Sequence, residues 1–101
     1  MKIIRNSQIQ RILLGVPLGH THIRALIELN DGTKLVFHEA ALAGIVRALL
    51  TIKLDPLRDA IELTSMELTN RRAGFAKHQL IATKKAPEVV RKEISQILYP
   101  K

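Results

Sequence analysis

The stretch "IRALIELNDGTKLVFHE", Ile23 to Glu39, decides the fold. Asp31-Gly32 sits between two apolar, partly alternating runs, the strongest short signature of a β-hairpin. A two-residue loop of type I′ there needs positive φ at both positions. With those two residues as the loop, Asn30 faces Thr33, Ile27 faces Val36 and Ala25 faces His38. Ile23, Ala25, Ile27, Leu29, Val36 and His38 then share one face, nearly all apolar, which is expected to be the core face. On the other lie His20, His22, Arg24, Leu26, Glu28, Leu35, Phe37 and Glu39.

Upstream, "VPLG" (Val16 to Gly19) has Pro at its second and Gly at its fourth position, as a type I turn prefers. A two-residue loop at that point pairs Ile12 with Ile23 and Leu14 with Thr21 on the core face. It also sets Arg11 against Arg24 and Leu13 against His22 on the outer face. The N-terminal half therefore reads as a three-stranded antiparallel meander. Leu13, Leu26, Leu35 and Phe37 stay on its outer face, so either a further layer covers them or the register differs.

Downstream the pattern changes to helical period over Glu39–Leu54, with Leu42, Ile45, Val46, Leu49 and Ile52 in one stripe. Ala40, Gly44 and Ala48, spaced by four, let a neighbouring surface approach closely, as in packing on a sheet. Asp55-Pro56 stops this helix, because Pro disfavours αR in the residue before it. Residues 57–69 fit a helix capped by Asp55, but the alternation in "AIELTSMELTN" favours a strand, with a phase slip near Thr64-Ser65 as at a bulge. "GFAKHQLIATKK" reads as the returning strand. "APEVVRKEISQILYP" is a helix started by Pro87, with Glu88 in its first turn and a stripe of Val90, Ile94, Ile97 and Leu98. The order β-β-β-α-β-β-α predicts an α+β, two-layer sandwich: an antiparallel sheet of about five strands with two helices on one face. Residues 1–101 read as a single compact domain.

Composition narrows the function. An apolar share of 47% and a charged share of 25% over 101 residues are those of a folded globular chain. There is no cysteine, which excludes disulfides, thiolate metal sites and a cysteine nucleophile and fits a cytoplasmic location. "MKIIRNSQIQRILLGV" begins like a signal peptide, but Asn6, Ser7, Gln8, Gln10 and Arg11 break its apolar run. "AALAGIVRALLTIKL" (Ala40 to Leu54) is too short to span a bilayer and carries Arg47, so no membrane partner is expected. The net charge of +7 is unevenly spread. Lys2, Arg5, Arg11 and Arg24 precede the first acid, and seven of the nine acids fall between Glu28 and Glu67. Basic ends that met in space would offer a surface to a polyanion.

Arg11, His22 and Arg24, together with Arg71, Arg72 and Lys77, are accordingly the candidate residues for contact with the phosphates of RNA or DNA. Arginine presents a planar fork of donors suited to phosphate. Phe37, Phe75 and Tyr99 are the only aromatics, so stacking of single-stranded bases is disfavoured. His20 and His22 would share a strand face, yet two cations nearby and no third ligand argue against a metal site. No cofactor motif is present. His20 or His22 with His78 could run acid–base cleavage of RNA, but no spacing singles that pair out. Three readings result: a small basic module, self-associating as a homodimer, that contacts nucleic acid through its backbone; an oligomeric interaction or small-ligand-binding domain with no nucleic-acid role; and a histidine-dependent ribonuclease. The first is preferred, and an enzyme is not.

Overall fold

A computed structural model describes residues 1–69 and 76–100. The element order is a single 3₁₀ turn (Asn6–Gln8), β1 (Ile9–Gly15), β2 (Arg24–Leu29), β3 (Lys34–His38), α1 (Glu39–Leu54), β4 (Leu63–Glu67), β5 (His78–Ala82) and α2 (Pro87–Leu98). The protein is α+β, with five antiparallel strands and two helices in the expected order. The strands form two sheets, β1-β2-β3 and β4-β5. Residues 57–69 contribute the strand β4. The chain divides into two compact units, Met1–Leu42 and Ala43–Lys101.

In the first unit the meander forms, but both registers differ from those expected. The β2–β3 loop has three residues, Asn30, Asp31 and Gly32, closed by Leu29 N–H donating to Thr33 O at 2.9 Å and Gly32 N–H to Leu29 O at 3.0 Å. Only Gly32 takes positive φ (+90°), so Asp31 avoids the left-handed conformation that a type I′ loop would impose on it. Asp31 instead accepts the Thr33 N–H on its carboxylate at 2.9 Å, and that bond holds its carboxyl below the ordinary range. The longer loop moves β3 by one residue and turns its side chains over. Ala25 now faces Phe37 and Ile27 faces Leu35, while Val36 and His38 pass to the other face. His38 is exposed, not a core residue.

The β1–β2 connection is longer still. Its turn starts at Pro17, with His20 N–H donating to Pro17 O at 3.0 Å and Gly19 at φ +78°, the third position of a type II turn. His20 and His22 therefore lie in the connection and not on a strand. Ile12 pairs with Ile27, Leu14 with Ala25, Arg11 with Glu28 and Gly15 with Arg24. A shift between Ile9 and Arg11 leaves Gln10 as an extra residue, which brings Ile9 opposite Leu29. One face thus holds Ile9, Ile12, Leu14, Ala25, Ile27, Leu29, Leu35 and Phe37. Central strand β2 supplies its two most buried members, Ala25 and Leu29.

The second unit is built on the small face of α1. A Cβ added to Gly44 would lie 2.8 Å from Leu80 Cβ, closer than real side chains come, so glycine is what lets the helix meet β5. Strands β4 and β5 pair from Leu63–Ala82 to Glu67–His78 without the expected bulge. Ala60 and Val90 of α2 are buried. Lys85 donates to Glu62 at 2.8 Å and to Glu93 at 2.7 Å, tying α2 to the segment before β4. These two carboxylates raise the Lys85 ammonium to about 12.

Candidate functional site

The outer face of the first sheet arranges its residues in rows across the strands. Arg11, Glu28 and Lys34 make one row, Leu13, Leu26 and Val36 the next, and Gly15, Arg24 and His38 the third. Arg11 donates both Nε and Nη2 to Glu28, each at 3.0 Å. This forked pair holds the Glu28 carboxyl down, and Lys34 adds to the effect. Arg11 and Arg24 are thus not the cross-strand neighbours expected: Glu28 faces one and Gly15 the other. Arg24 donates to Ile23 O at 3.1 Å, and no carboxylate among the described residues pairs with it.

His22 Nδ1 lies 3.1 Å from Glu39, whose other carboxylate oxygen accepts the Ile23 N–H at 3.3 Å. The hydrogen bond from His22 is the main cause of the lowered Glu39 carboxyl. Among the described residues no three His, Cys, Asp or Glu side chains are placed to hold a metal ion, and no helix is long and apolar enough to cross a membrane. Lys77 belongs to the second unit, where its ammonium pairs with Glu67 at 2.9 Å. Arg71 and Arg72 lie outside the described residues.

The second unit carries a cation cluster that the sequence did not single out. A cleft of about 270 Å³ lies between α1 and the β4-β5 sheet, with Arg47, Thr51, Arg58, Ile61 and Leu80 in its wall. A further cleft, of about 390 Å³, is lined by Arg58, Ile61, Thr83, Lys84, Lys85 and Pro87. Arg58 and Ile61 belong to both, so the two clefts adjoin. Neither has an acidic residue in its lining. Among the described residues Arg47, Arg58 and Lys84 form no ion pair, whereas Lys85 is held by Glu62 and Glu93.

Local chemistry explains these positions. Arg47 is on the same side of α1 as Gly44 and Ala48, so it borders the close approach to β5. Asp55 caps the turn that follows α1, accepting the Leu57 N–H at 3.0 Å on its side chain and the Arg58 N–H at 3.0 Å on its carbonyl. That turn fixes Arg58 at the junction of the clefts. Lys84 sits between β5 and α2, beside the Lys85 clamp. The sequence did hold a signal: Gly44, Arg47, Ala48 and Thr51 follow helical spacing on one side of α1. Comparison with protein-family models, curated proteins and solved structures finds no match for this chain.

Proposed function

We propose that this protein is a small basic module that binds a polyanion, namely the phosphate backbone of RNA or DNA, along the paired clefts of its second unit. One observation carries the reading: four cations line two adjoining clefts that contain no carboxylate, and three of the four are uncommitted. Phosphate-led binding needs fixed positive side chains and little else. Arg47 and Arg58 offer forked donors and Lys84 a point charge, while the Thr51 and Thr83 hydroxyls are already donated to Arg47 O and Glu62. The linings hold no aromatic side chain, which favours backbone contact over base stacking. Arg24 is the member of the expected set in the first unit that forms no ion pair among the described residues, although its charge helps to lower the nearby Glu39 carboxyl. Arg11, His22 and Lys77 face a carboxylate each and contribute less.

The test is a titration of binding against salt, with generic duplex DNA and duplex RNA as probes. Three neutralised phosphates correspond to a slope of log K on log salt near about −2.7 for DNA. Arg47→Ala, Arg58→Ala and Lys84→Ala should each remove about 0.9 from that slope. Absence of binding at low salt, or a slope untouched by all three substitutions, would falsify the proposal.

A further inference from the structure

The cleft between α1 and the β4-β5 sheet joins two features within the second unit. Arg47 and Arg58 in its wall form no ion pair among the described residues. Its floor is aliphatic, with Ile61, Leu63, Leu80 and Ile81 half-buried, and α1 meets β5 at Gly44 and Leu80 to bound it on one side. A phosphate backbone would engage the two arginines and leave that floor unused. We propose that this cleft takes a small amphiphilic anion, an aliphatic chain ended by one oxyanion, and that this ligand competes with the polyanion for Arg47 and Arg58. The competition rests on the polyanion reading, but the pocket does not.

Each half of the ligand follows from the chemistry of the lining. No acidic side chain is in it, so the counter-charge comes with the ligand. Arginine presents parallel N–H donors that match two oxygens of a carboxylate or a phosphate. Thr51 donates its hydroxyl to Arg47 O at 3.0 Å, and the remaining lining side chains, the two arginines apart, are apolar. A sugar or a base laid on this floor would lose water without gaining side-chain partners, which is costly for each polar group buried. An alkyl chain carries no such groups and gains from leaving water. The volume of about 270 Å³ is just under the usual range for ligand pockets, about 300–1,000 Å³, and suits a short chain.

The test is a titration of the full chain with sodium butanoate, hexanoate and octanoate and with octyl phosphate, followed by amide NMR. Shifts should centre on Gly44, Thr51, Leu80 and Ile81, and affinity should rise by up to about fourfold per added methylene until the cleft is full. The octyl compound that binds more tightly, carboxylate or phosphate, names the head group. Arg47→Met and Arg58→Met should each weaken octanoate by about threefold or more, and 1-octanol, which lacks the charge, should bind less tightly than octanoate. Ala48→Leu fills the cleft and should remove the dependence on chain length. Shifts spread over β1 to β3, or affinity indifferent to chain length, overturn the pocket; the length series on the unaltered chain decides this even if Ala48→Leu fails to fold. Saturating octanoate should release duplex DNA, and a duplex affinity unchanged by it overturns the competition. Absence of any duplex binding removes the polyanion reading and the competition with it, while the octanoate titration still judges the pocket.

Discussion

Arg11 on the first sheet and the cations of the second unit's clefts differ in how they are answered, although the second unit also pairs Lys77, Lys85 and Arg91 with carboxylates. In the first unit, Arg11 sits on a strand opposite Glu28, and His22 lies against Glu39. In the second, Arg47, Arg58 and Lys84 come from a helix, a turn and a connection, and among the described residues no carboxylate meets them. A strand residue has a partner directly opposite at about 5 Å, so a sheet supplies a counter-ion wherever the register puts an acid there. A cleft wall collects residues from separate elements and carries no such rule. Arg47, Arg58 and Lys84 are left uncommitted where elements meet, whereas Lys85 at the same junction is held by Glu62 and Glu93.

Deforming the cleft while sparing the first sheet should have the largest effect. Gly44→Leu drives a side chain into Leu80, whose Cβ is already at the limit of approach. Overpacking of this kind costs about 1–3 kcal/mol, offset by up to about 1 kcal/mol because glycine is a poor helix former. The unfolding midpoint should fall, and amide exchange should quicken in β4 and β5. Strands β1 to β3 should keep their protection, and polyanion affinity should drop with the altered cleft. Equal loss of protection in both units would show that they do not respond separately.

The same contrast separates what could be read in the sequence from what could not. The element order was legible because apolar periodicity and Pro/Gly punctuation are local. The registers were not, since one more residue in a loop reverses a whole strand. Asp31-Gly32 signalled the hairpin correctly, but Asp31 has a side-chain route to Thr33 N–H that makes the three-residue loop preferable. The apolar excess on the outer face was the clue: in the observed register Leu35 and Phe37 leave that face. Counting charges along the chain favoured the basic ends. It could not reveal that Arg47 and Arg58, both from the acid-containing middle, line adjoining clefts, because that depends on long-range packing.

A smaller effect should come from Lys85, the one cleft cation that is tied down. Its folded-state pKa is raised to about 12, so its stabilisation is present in full below its ordinary value and is lost as pH rises through about 12. Glu62 is lowered by its bonds to Lys85 and Thr83, so its share is present above the ordinary carboxyl range and lost as pH falls through the folded value. Between those limits the clamp holds. Lys85→Met should lower the unfolding midpoint at neutral pH, and its difference from the unaltered chain should shrink at both extremes. A difference constant from acid to alkali would mean that the ion pairs contribute nothing and only the aliphatic stem matters.

The least change is expected from Arg11, and that makes it the most discriminating. Its guanidinium is exposed and screened, and exposed ion pairs contribute little to stability, so Arg11→Ala should hardly move the unfolding midpoint. In the salt titration it should lower the slope by well under the step of about 0.9 expected for a free phosphate contact, because phosphate must first displace Glu28. Arg58→Ala should show the whole step. Equal steps would mean that Glu28 yields Arg11 readily to a polyanion, and the first sheet would then join the clefts as binding surface. An Arg11→Ala step larger than that of Arg58→Ala would move the site to the first unit and leave the acid-free clefts without a role in binding.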